Sequence, residues 1–86
     1  DKVTVARIRK RLRQVEETDN LGDHQPVGDG VFELRLHFGA GYRIYFGRRG
    51  DDAVLLLSGG DKSSQSRDIL KAKAYWKEHS SREAIQ

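Results

Sequence analysis

The sequence predicts one α+β domain spanning residues 1–86, an antiparallel three-strand meander with helices packed on one face. Three observations carry this. Residues 31–38 alternate between Phe32, Leu34, Leu36 and Phe38 on one side and Glu33, Arg35 and His37 on the other. Successive strand side chains point to opposite faces, so this is the pattern of a half-buried strand. A second such run follows a glycine turn, with Tyr42, Ile44 and Phe46 against Arg43 and Tyr45. Helical spacing then brackets the strands: Val5, Ile8, Leu12 and Val15 before them, Ile69, Ala72 and Trp76 after them.

Residues 2–18 form the first predicted helix, ending near Asp19-Asn20. Its other faces carry Lys2, Arg7, Arg9, Lys10, Arg11 and Arg13. A solvated face shielding the apolar stripe is the preferred reading; a phosphate-contacting surface is the alternative. Residues 19–30 hold three glycines, three aspartates and the only proline, the composition of a loop. Gln25-Pro26-Val27 can add a short edge segment, where proline is tolerated. His24 has no second ligand at metal spacing and reads as a loop histidine.

If residues 39–41 (Gly-Ala-Gly) are a three-residue hairpin loop, Phe38 faces Tyr42. His37 then lies opposite Arg43, Leu36 opposite Ile44, and Arg35 opposite Tyr45. A slip by one residue would scramble both faces. Residues 53–57 (AVLLL) are a continuous apolar run, as expected of a central strand buried on both sides. A flexible segment follows, whose Gly-Gly-Asp-Lys-Ser-Ser lacks the spacing of a phosphate-binding loop. Residues 64–79 form the second predicted helix, with Trp76 and Tyr75 as packing residues, and 80–86 a mobile polar tail.

Cysteine is absent, which excludes disulfides and thiolate metal sites and fits a cytoplasmic protein. No apolar run approaches the ~18 residues of a membrane span, and no signal peptide is visible. A net charge of +3 and a pI near 9.5 lean toward an acidic partner such as nucleic acid. The chain starts at Asp1, already in helical pattern, which reads as an N-terminal truncation.

The polar side of the hairpin is the predicted site. Arg35 and Arg43 can share one phosphate, since guanidinium groups bind phosphate oxygens in paired hydrogen bonds. RNA cleavage by its own 2′-hydroxyl needs a base for that hydroxyl, cationic donors on the phosphate and an acid for the departing 5′ oxygen. Histidine is the side chain whose ordinary pKa lies nearest neutrality, so His37 is a candidate acid or base, and Glu33 is its rival for proton transfer. Tyr45 can stack on a base. A sheet face with ordinary solvated charges is the competing reading.

The blocks that carry a resemblance are residues 33–35 (ELR) with 39–46 (GAGYRIYF), then 59–65 (GGDKSSQ) with Asp68-Ile69. Over residues 3–77 the chain resembles the RelE/ParE superfamily of type II toxins, in its HigB-like addiction-module killer branch. The resemblance implies a RelE-like fold whose N-terminal strand and helix are missing here. It implies a ribosome-dependent messenger RNA endonuclease, needing no metal or cofactor and neutralised by a cognate antitoxin. Arg43 then corresponds to the arginine on the scissile phosphate and Arg35 to a second basic position. Lys62 falls near a third, at the end of the last strand. Arg48 and Gln65 join Tyr45 as expected RNA contacts. Glu33 stands where better-known relatives carry lysine, which leaves the general base open. A ParE-like gyrase-binding toxin and an inactive antitoxin-binding relic are the alternatives.

Overall fold

A computed structural model describes residues 2–18, 22–37, 39–49 and 53–85; for residues 16, 49, 53–56 and 82–85 it describes the backbone only. Helix α1 spans Lys2–Thr18. Four strands follow: β1 His24–Gly28, β2 Val31–Leu36, β3 Tyr42–Arg49 and β4 Ala53–Gly60. A short 3-10 turn, Lys62–Ser64, leads into helix α2, Gln65–Ile85. The strands pair antiparallel in the order β1-β2-β3-β4. The edge segment around Pro26 is thus a full fourth strand. β4 lies at the other edge, not at the centre. Burial of the side chains at 53–56, and the helix end near Asp19-Asn20, lie outside the described residues.

The alternation sorts the faces as expected, but the helices do not share one. Leu34, Leu36, Ile44 and Phe46 are buried with Val15 of α1, and Ile8 and Leu12 pack against them. Val31 and Tyr45, on the opposite face, are buried with Ala72 and Trp76 of α2. The sheet is therefore covered by α1 on its apolar side and by α2 on the side expected to be open. The amphipathic spacing of each helix was legible, but it does not say which face of the sheet receives it. Val31 and the Tyr45 ring, with Val27 and Leu57 packed beside them, give α2 an apolar seat on the polar side.

The hairpin register also differs from the expectation. Leu36 pairs with Tyr42, Arg35 with Arg43, Leu34 with Ile44 and Glu33 with Tyr45. The connection is residues 37–41, and the whole register is shifted by two. A two-residue shift leaves every side chain on its own face, so alternation cannot detect it. Phe38 lies outside the described residues.

Two glycines admit close approaches. A Cβ on Gly47 would fall 2.1 Å from a Trp76 ring carbon, so the indole lies on the bare backbone of β3. A Cβ on Gly60 would fall 2.1 Å from Asp68 Oδ2. That closeness lets Ser58 Oγ donate to the Asp68 carbonyl at 3.0 Å and ties β4 to the first turn of α2. The expected tail continues the helix to Ile85, since no glycine or proline stops it.

Candidate functional site

Two rungs of the sheet lie under the N-terminal end of α2. Cross-strand pairs place Gln25, Glu33, Tyr45 and Ser58 on the first. Arg35, Arg43 and Gly60 make the second, and the Arg35 N–H donates to the Asp23 carbonyl at 2.9 Å.

Glu33 is the hub. Its side chain is fully buried, a position that costs an ion several kcal/mol unless donors surround it. They do. Oε1 accepts from Gln25 Nε2 and Arg35 Nε, both at 3.1 Å, and lies 3.5 Å from Arg43 Nη1. Oε2 accepts from Tyr45 Oη at 3.0 Å and from Gln65 Nε2 at 2.9 Å. Burial alone would raise its pKa, but the bonds from Gln65, Arg35 and Tyr45 and the charge of Arg43 outweigh it and lower the value. Both oxygens of Glu33 are thus occupied by donors from within the protein, and a lowered pKa makes the carboxylate a weaker proton acceptor.

Tyr45 is buried as well. Burial, then the hydrogen bond to Glu33 and its charge, push the phenol far above its usual range. The expected stacking surface is instead a structural donor to Glu33.

The arginines fare differently. Like charges directly across a sheet repel, and here Glu33 contacts both and offsets that cost. Their side chains are 32% and 16% exposed for Arg35 and Arg43. Each guanidinium has five donors, so the contact with Glu33 leaves donors on both. Direct pairing brings the two closer than the expected register did.

His37 lies just past β2, exposed, and its Nε2 pairs with Asp23 Oδ2. Asp23 Oδ1 is 3.7 Å from Arg35 Nη1. Lys62 is exposed on the 3-10 turn, not at a strand end. It follows by two residues Gly60, the partner of Arg43. Asp61 caps this turn by accepting from the Ser63 N–H at 2.9 Å. Gln65 is drawn in as a ligand of Glu33. Arg48 alternates onto the face of Phe46, away from the pair. Sequence reasoning missed Gln25 and Asp23; the edge segment around Pro26 held the signal for Gln25, whereas nothing local marked Asp23.

Fold and site together define a small α+β domain with an arginine pair anchored on a buried carboxylate. No family model and no solved structure matches the chain. A protein of Haemophilus influenzae, named only as uncharacterized, is 46% identical over 68 residues, which make up 79% of this chain and 68% of that protein. The chain belongs to the same family as that protein. Among the described residues, no helix is long and apolar enough to cross a membrane.

Proposed function

We propose that the domain is the toxin of a type II toxin–antitoxin pair, cutting messenger RNA on the ribosome with Arg35 and Arg43 on the scissile phosphate. The observation that carries this reading is the direct cross-strand pairing of the two arginines. Two guanidiniums locked by a shared buried carboxylate are preorganised for an anion, and preorganised donors are the main source of transition-state stabilisation. Lys62 adds an exposed cation on the adjoining 3-10 turn. The resemblance of the hairpin and Gly-Gly-Asp-Lys blocks to RelE-like toxins supplies the substrate and the antitoxin.

In this reaction the 2′ oxygen attacks phosphorus as its proton leaves, and the bond to the 5′ oxygen breaks. The products are a 2′,3′-cyclic phosphate and a 5′-hydroxyl that has gained a proton. With Glu33 occupied, His37 is the side chain at the rim suited to proton transfer. Primer extension on messages from cells expressing the full-length protein, beside Arg43→Ala, tests the reading. New 5′ ends are expected in the wild type and absent in the variant. Growth arrest with intact messages would overturn nuclease activity in favour of a non-cleaving, gyrase-binding toxin.

A further inference from the structure

We infer that Asp23 is a positioning residue, whose carboxylate fixes the His37 ring beside Arg35 so that Nδ1 faces the phosphate site. This rests on the RNA-cleavage reading of that site. Both oxygens of Asp23 are engaged: Oδ2 pairs with His37 Nε2, and Oδ1 lies 3.7 Å from Arg35 Nη1. The backbone of Asp23 is itself pinned, because its carbonyl accepts from the Arg35 N–H at 2.9 Å. Its neighbour His24 folds back to Gly22, with Nδ1 2.9 Å from the Gly22 carbonyl. One short segment before β1 thus holds two groups of the site, an imidazole and a guanidinium, within reach of a single carboxylate.

The chemical consequence concerns the two ring nitrogens. His37 follows the last residue of β2 and its side chain is 73% exposed, so the fold alone leaves the ring free to rotate. A carboxylate offers only acceptors, and Nε2 must therefore donate to Asp23. The hydrogen bond made by one ring nitrogen sets the role of the other. In the neutral ring Nδ1 is then the bare nitrogen and acts as base. It takes the proton of the 2′-hydroxyl while the 2′ oxygen bonds to phosphorus; the 5′ oxygen leaves with its electron pair and is protonated by water. The carboxylate also stabilises the imidazolium that results. Asp23 has a second, opposing effect: its charge beside Arg35 weakens the attraction of the arginine for phosphate.

That opposition gives a test. Asp23→Asn and Asp23→Glu are compared with wild type by single-turnover cleavage on ribosomes programmed with a short message. Affinity for a short single-stranded RNA and the 15N spectrum of the His37 ring are measured in parallel. Asp23→Asn is expected to cleave about tenfold or more slowly, part of the ~10²–10⁴ that a positioned base contributes, while binding RNA as tightly as wild type or more so. Its His37 ring signals shift toward a mixture of tautomers, and Asp23→Glu recovers most of the rate. Wild-type cleavage by Asp23→Asn, or parallel loss of cleavage, RNA binding and thermal stability, would overturn the inference. A wild type that does not cleave overturns the nuclease reading instead. In that case unchanged ring signals in Asp23→Asn refute the positioning role by themselves.

Discussion

Arg35 and Arg43 stand directly across from each other on β2 and β3, and the buried carboxylate of Glu33, one rung away, contacts both. A like-charge pair in a sheet is unfavourable, and an isolated buried carboxylate is far more so. Each makes the other tolerable. The arginines are therefore held in place before any ligand arrives, and the cost of ordering them is met in folding.

Removing the hub leaves four hydrogen-bond donors without their acceptor and the Arg43 charge without its partner. Glu33→Ala is expected to destabilise the domain by about 3–5 kcal/mol, the range for breaking a buried ion pair. Glu33→Gln should also destabilise, because its amide nitrogen turns donors toward donors. Urea unfolding monitored by circular dichroism measures both. A midpoint unchanged in Glu33→Ala would mean that the carboxylate does not organise the rung.

Stability should fall in acid for the same reason. The folded pKa of Glu33 lies below its ordinary 4.5. Its contribution is therefore complete above that value and is lost as pH falls through the lower, folded one. Tyr45 acts at the other end. Its folded pKa lies above the ordinary 10.0, so its contribution is complete below 10.0 and declines as pH rises beyond it. Melting temperatures across pH should show a wild-type acid decline that Glu33→Gln flattens, and an alkaline decline that Tyr45→Phe flattens.

The arginine pair predicts a stringent chemical requirement. Arg43→Ala should reduce cleavage by about 10²–10³, as for loss of one preorganised donor. Arg43→Lys should recover little, because an ammonium lacks the planar fork that holds a phosphate oxygen pair. Single-turnover rates at saturating message give these values, with a thermal melt alongside, since Arg43 also touches Glu33. A lysine variant at the wild-type rate would show that charge alone is needed.

The faces of the hairpin were readable because alternation has a period of two, and its register was not, for the same reason. Shifting Arg35 from Tyr45 to Arg43 moves it two residues and leaves it on the same side. Glu33 was misread because a carboxylate on a strand is ordinarily solvated; only the convergence of Gln25 from β1 and Gln65 from α2 buries it. Neither glutamine lies near Glu33 in sequence. Alternation does not mark where pairing stops: His37, expected in the strand opposite Arg43, lies just past β2, and Lys62, expected at a strand end, lies on the 3-10 turn. Asp23 belongs to a loop without periodicity, so its pairing with His37 emerges only once β1 is aligned beside β2.

The contact between α2 and the sheet offers a test of the two-faced architecture. Trp76 lies over Gly47, and a Cβ there would meet its ring carbons at 2.1–2.4 Å. The indole is not the loose end of a flexible chain. It is 8% exposed and packed with Val31, Tyr45 and Ala72, so it cannot yield without moving α2. Gly47→Ala should therefore destabilise by about 1–3 kcal/mol, as overpacking does. Tyr45 bonds to Glu33 beneath the same helix, so the substitution should also loosen the arginine pair and lower RNA affinity. Trp76→Phe, with a smaller ring, should recover part of both losses in the double variant. Denaturant unfolding and RNA binding on the four proteins of that cycle measure the coupling. Additive effects of the two substitutions would mean that α2 does not rest on Gly47.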